Sequence, residues 1–253
     1  MRKLKILSIL ALLSSVVAGC SCSKIDDSTY ESAVSSFKST DAISFARVET
    51  ILTEGAATYD RKRIEASYIF DANKKVEKMT YSLHETTEIN SAGSGGGKSD
   101  ITNYYYDDTR TTVYKYEKNG DSAAVERKYT NTEYDEYFNA ASCDSNDCLL
   151  MVVGNFAPIY VLDEITEFTI VDDDGSALVT YKGICPSYEN CESNSQMIDY
   201  TLRINKDGNI ETLSYDVVNG KTTHSIKYAF SAYSTNKVSI TLPTYLESYK
   251  KEK

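Results

Sequence analysis

Along Ile198–Phe230 apolar residues fall on every second position, and this period of two constrains the fold more than any other feature of the chain. Ile198, Tyr200, Leu202 and Ile204 alternate with Asp199, Thr201, Arg203 and Asn205. Leu213, Tyr215 and Val217 resume the period after Asp207-Gly208, and His224, Ile226, Tyr228 and Phe230 resume it after Asn219-Gly220. Successive side chains of a strand point to opposite faces, so the pattern predicts an antiparallel meander with one face buried and the other wet. Asn-Gly between two such runs is a strong hairpin signal. Val238, Ile240 and Leu242 extend the period as a last strand that ends before Pro243.

The same alternation appears upstream. Ile64, Ala66, Tyr68 and Phe70 are followed, across a turn at 71–74, by Met79, Tyr81 and Leu83. Tyr104-Tyr105-Tyr106 precede a further hairpin around Asp107-Asp108, and Asp174-Gly175 joins Phe168–Val171 to Ala177–Tyr181. The chain has 21 Tyr and no Trp, which suits strands whose rings pack while their hydroxyls stay wet. Two segments read as helix. Ser28-Thr29-Tyr30-Glu31 has capping-box form, and Tyr30, Ala33, Val34 and Phe37 then recur at helical spacing. Thr130–Glu133 gives a second capping box, followed by Tyr134, Tyr137, Phe138 and Ala141. Residues 149–162 form the most apolar stretch beyond the N-terminus. Gly154 and Pro158 interrupt it, so it reads either as buried core or as a lip beside a hydrophobic cavity.

The N-terminus carries a different message. Arg2, Lys3 and Lys5 precede an apolar run from Ile6 to Leu13, and small residues lead to Val17-Ala18-Gly19-Cys20. The run is too short to span a bilayer comfortably. The arrangement resembles the lipobox of bacterial lipoproteins. That resemblance implies cleavage before Cys20 and attachment of diacylglycerol and acyl chains such as palmitate to it. Two or more chains give stable anchoring, where one gives only marginal binding. The domain plan is a signal peptide over 1–19, a lipidated polar tether over 20–28, and a single β-rich domain over 29–253. The short tether holds that domain close to the extracytoplasmic face of the membrane.

Five cysteines remain besides Cys20. Cys143 and Cys148 flank one polar turn, and Cys185 and Cys191 flank another. Outside the reducing cytosol two local disulfides are expected, although four cysteines allow three pairings. A four-thiolate zinc site fits poorly, because the second spacing is too long. Cys22 is left over: a free thiol, a second acylation site and an intermolecular contact all fit it.

Acidic residues outnumber basic ones, 37 to 27, for a net charge of −10. Loss of Arg2, Lys3 and Lys5 with the signal makes the remainder more acidic, so nucleic acid is a poor partner. Catalytic look-alikes fail on context. Residues 92–99 satisfy a relaxed phosphate-loop pattern, but strand chemistry follows where a helix is required. Gly120-Asp121-Ser122 lacks the Asp and His that would activate its serine, since only His84 and His224 exist and both lie in alternating runs. His84-Glu85-Thr86-Thr87-Glu88 has glutamate where a zinc protease has its second histidine. Asp172–Gly175 lacks the spacing and distal glutamate of a calcium loop. The expectation is a non-enzymatic monomer with no cofactor and no metal.

Taken in order, lipobox, tether, amphipathic helix, antiparallel strands, apolar lip and terminal meander resemble the LolA/LolB-like superfamily of lipoprotein carriers and lipid-binding lipoproteins. The closing run Ile226–Pro243 carries most of the likeness. The resemblance implies an α+β fold: a strongly curved antiparallel half-barrel with a few helices on its concave face, enclosing a cavity for acyl chains. The expected function is that of a membrane-anchored lipoprotein that binds or chaperones lipid or another apolar ligand. A surface module binding protein or glycan is the alternative. If the first helix and the apolar lip line the cavity, Tyr30, Val34, Phe37, Met151, Phe156 and Tyr160 are the candidate ligand contacts. None of the six matches a family motif.

Overall fold

The computed structural model describes residues 27–72, 76–89, 98–107, 112–130, 168–185, 191–193, 196–232 and 236–251. A helix, α1 (Asp27–Ser39), leads into six strands: β1 (Ala42–Thr53), β2 (Thr58–Phe70), β3 (Val76–Ile89), β4 (Ser99–Asp107), β5 (Thr112–Asn119) and β6 (Val125–Thr130). Five more follow: β7 (Phe168–Asp173), β8 (Ser176–Ile184), β9 (Met197–Ile204), β10 (Ile210–Asn219) and β11 (Thr222–Ala232). A 3₁₀ turn at Thr244–Ser248 and a two-residue strand, β12 (Lys250–Lys251), close the chain.

All twelve strands belong to one open sheet in the order β12-β6-β5-β4-β3-β2-β1-β11-β10-β9-β8-β7. Two antiparallel meanders, β1–β6 and β7–β11, are therefore stitched together by a single antiparallel seam between β1 and β11, where Phe45 faces Phe230 and Arg47 faces Tyr228. Only β12 pairs in parallel, setting Lys250 beside Arg127 at the edge of β6. The α+β class with several helices is thus corrected: the described residues form a nearly all-antiparallel sheet with α1 as their one α-helix. The second expected helix, after Thr130, lies outside the described residues, as does the apolar stretch 149–162. The α+β expectation came from the resemblance together with the two capping-box segments, of which only the first falls among the described residues.

One face of the sheet carries α1. Tyr30, Ala33, Val34 and Phe37 are buried while Glu31, Ser32, Ser35 and Ser36 are exposed, the amphipathic division that the spacing predicts. The helix packs mainly over β8 and β10. Its Tyr30 ring lies 4.7 Å from Phe168, and its Phe37 ring meets Phe230 edge-on at 5.4 Å. Beneath it an aromatic row crosses three strands, with Tyr181 stacked on Tyr200 at 5.0 Å and Tyr215 a further 5.1 Å on. Such pairs add to area burial because offset and edge-on rings align their quadrupoles favourably.

The opposite, outer face is crossed by the C-terminal segment. Val238 and Ile240 are buried against Ala42 and Ile69, and Leu246 and Tyr249 against Tyr114, Tyr105 and Tyr116. The expected last strand is corrected here. Val238 and Ile240 are buried and Ser239 and Thr241 exposed, as period two requires, yet residues 236–243 are no part of the sheet. They are an extended strap lying on the sheet's outer side chains. Alternation reports a face in contact, whether or not a ladder accompanies it.

Turn chemistry also shows through. Asp174 and Gly175 both have positive φ, 52° and 78°, as a mirror-image hairpin turn requires. At the next strong hairpin signal the turn is displaced by one residue. Asn219 pairs with Thr222, so Gly220, with φ of 56°, and Lys221 form the tip.

Candidate functional site

Three features of the sheet have the chemistry of a site, and two share the face that carries α1. The first lies beyond the strands the helix mainly covers. On β3 and β4 the inward positions Tyr81, Leu83, Tyr104 and Tyr106 are half-buried and packed against the core. Register pairs Tyr81 with Tyr104, and their rings meet edge-on at 5.9 Å. Burial pushes the Tyr81 hydroxyl up to about 12. On β5 the Lys115 ammonium lies 5.8 Å from the Tyr104 ring and 3.1 Å from Glu117. The result is an aromatic and aliphatic wall with a cation at its border.

The second feature is a buried polar network on β1 and β11. Arg47 donates from Nε to the Tyr228 hydroxyl at 2.7 Å and from Nη1 to Glu49 Oε2 at 2.8 Å. His224 Nδ1 lies 2.9 Å from the other Glu49 oxygen. Arg47 and Glu49 are 6% and 7% exposed, values reached by a charge only when it is paired. Burial pushes the Glu49 carboxyl up, but the His224 hydrogen bond and the charge and bond of Arg47 outweigh it and hold the group below its ordinary value. This network closes the seam between the two meanders. Sequence reasoning missed it, along with the whole of β1.

The third is a groove of about 650 Å³ on the outer face. Its floor is built from small outward residues of β1, β2 and β11: Ser44, Ala46, Ser67, Ala229 and Ser231. Ser44 and Ser67 hydroxyls are hydrogen-bonded at 2.6 Å. Thr80, Ser82, Asn103 and Tyr105 form the far wall. Burial pushes the Tyr105 hydroxyl up to about 12, and that hydroxyl bonds Tyr245 of the 3₁₀ turn as well as Asn103. Asn103 Oδ1 is buried without a hydrogen-bond partner.

The sequence candidates separate cleanly. Tyr30, Val34 and Phe37 are side chains of the packed core beneath α1. Met151, Phe156 and Tyr160 lie outside the described residues, as do Cys20, Cys22, Cys143 and Cys148. Cys185 and Cys191 are bonded to each other, with Cα atoms 6.5 Å apart, and Cys185 joins the core. His84 sits in β3 with Nε2 at 2.6 Å from Ser99 Oγ, and Ser99 opens β4, so the glycine-rich segment leads into a strand. Gly120 is the tip of the β5–β6 hairpin. Among the described residues no group of three or more His, Cys, Asp and Glu side chains is placed to hold a metal. No helix among them is long and apolar enough to cross a membrane.

No family model matches the chain, and no curated protein matches it. Among solved structures it is similar to LprF from Mycobacterium bovis, with 10% identity over 86% of this chain and 95% of that one and a TM-score of 0.47. The β-barrel-like DUF1849 protein of Brucella abortus aligns with 8% identity over 77% of this chain and 100% of that one, with a TM-score of 0.27. The MucA/MucB complex of Pseudomonas aeruginosa aligns with 9% identity over 82% of this chain and 58% of that one, with a TM-score of 0.28. At identities and TM-scores this low, the likeness carries no function to this chain.

Proposed function

We propose that this chain is a non-enzymatic lipoprotein, anchored through Cys20 on the extracytoplasmic face of a membrane, that binds or chaperones an apolar, lipid-like ligand on the helix-bearing face of its sheet. The observation that carries the reading is the half-buried wall of Tyr81, Leu83, Tyr104 and Tyr106. These side chains continue the core beyond the strands mainly covered by α1. An apolar wall left half-wet is a surface on which an acyl chain displaces water. Lys115 at its border suits the polar end of an amphiphile. The Cys185–Cys191 bond fits an oxidising compartment.

The test uses residues 21–253 exported behind a plain cleavable signal, so that covalent lipid cannot mask a bound one. Native mass spectrometry and solvent extraction are expected to find co-purifying lipid, and Leu83→Asp is expected to lose it while the protein stays folded. A folded protein that carries no lipid would overturn the reading. A second reading rests on the outer groove, whose hydroxyls and Tyr105 ring suit a glycan or peptide. Retention on immobilised glycan, lost in Tyr105→Ala, would favour it.

A further inference from the structure

An apolar row runs across the outer face close to one end of the strands. Ile184 faces Met197 across β8 and β9, and Gln196 beside Met197 donates to the carbonyl of Val218 at 3.2 Å. Val218 faces Thr223, and Thr223 faces Leu52 on β1. Ile184, Met197, Val218 and Leu52 are 60%, 56%, 49% and 42% exposed. Outward positions of a half-wet sheet are normally polar, so four aliphatic residues in one row call for a covering surface.

The chain itself says what covers it. The N-terminal half of α1 lies toward this same end, because Tyr30 packs on Phe168, which pairs with Tyr181 three residues before Ile184 on β8. Phe37, near the other end of the helix, packs on Phe230 beside the start of β1. Only residues 21–26 separate Cys20 from Asp27, and seven extended steps span at most ~25 Å. An acylated Cys20 therefore keeps Asp27, at the end of α1 nearer this end of the sheet, within ~25 Å of the headgroups. The charges beside the row are one cation and two anions: Lys182 pairs with Asp199 at 3.7 Å, one step in from Ile184 and Met197, and Asp216 stands exposed one step in from Val218. A chain of net charge −10 is repelled by an anionic surface, so a zwitterionic one is the fitting partner.

We infer that the protein docks on its own membrane through this row, with Ile184, Met197, Val218 and Leu52 seated in the headgroup region and the strands standing up from the surface. The inference rests on Cys20 carrying the acyl chains proposed above. Docking fixes the orientation of the domain: the outer groove and the helix-side wall open sideways along the membrane, within reach of ligands held in it.

The absence of Trp makes the test direct. Acylated full-length protein carrying Met197→Trp, or separately Val218→Trp, is placed in phosphatidylcholine vesicles containing a brominated lipid. The control is Val171→Trp, which replaces an outer-face residue 53% exposed in β7, toward the far end of the strands. Emission from the first two variants is expected to shift to the blue and be quenched by bromine, with the control unshifted. Bound protein in which all three variants stay unshifted overturns the docking while leaving the anchor intact. A blue shift without vesicles that bromine does not quench means that a second copy covers the row, and overturns it too. Mass spectrometry finding no acyl chain on Cys20 removes the anchor and the inference together.

Discussion

Arg47 and Glu49 stand at inward positions of β1, where the strand period assigns apolar side chains, and they explain why the central strand of the sheet left so faint a trace in the sequence. Ile43 and Phe45 begin an alternating run that two charges then interrupt. Once folded, the charges are matched: guanidinium to carboxylate and phenol, carboxylate to imidazole. Removing one member leaves the other buried without compensation, at a cost of about 3–5 kcal/mol. Arg47→Met should therefore lower stability by about that much in urea titrations, and Arg47→Met/Glu49→Leu should recover part of the loss. The same carboxyl gives a pH dependence. Its value in the fold lies below the ordinary 4.5, so its contribution is present at neutral pH and lost as the pH falls through the lowered value. Urea midpoints should hold steady near neutral pH and decline once the pH falls below about 5, less steeply in Glu49→Gln.

At the scale of elements, the most legible parts were those whose two faces differ in polarity. The β9–β11 meander and the β2–β3 pair announce their inward residues, and each of Ile198, Tyr200, Leu202, Ile226 and Tyr228 is buried as expected. α1 was equally plain. The strap was half legible: its alternation was visible, but nothing local distinguishes a strand that pairs from a segment that only lies on a sheet. The 3₁₀ turn that follows the strap seats more deeply on the same face. Leu246 is fully buried between Tyr114 and Tyr249, so Leu246→Ala should cost about 2–5 kcal/mol, read from the urea midpoint. The candidate sites were the least legible. The floor of the outer groove is made by small residues becoming neighbours across three strands. The helix-side wall depends on where the helix stops, which no single segment encodes.

For the molecule as a whole, the decisive pairing is the most distant one. Each meander is a string of local hairpins that its own turns can specify, whereas β1 and β11 bring together residues as far apart as Arg47 and Tyr228, 181 positions along the chain. Ladders of that kind form slowly, because loop closure precedes any reward from contact. The order in which the chain emerges adds a further consequence. A ribosome releases β1 well before its partner β11, so Phe45 cannot meet Phe230, nor Arg47 find Tyr228, until the chain has emerged past residue 230. Until then the two meanders remain unjoined and the network between them unmade. The seam therefore acts as a timer: the finished fold waits until the 181 residues that separate Arg47 from Tyr228 have all been delivered.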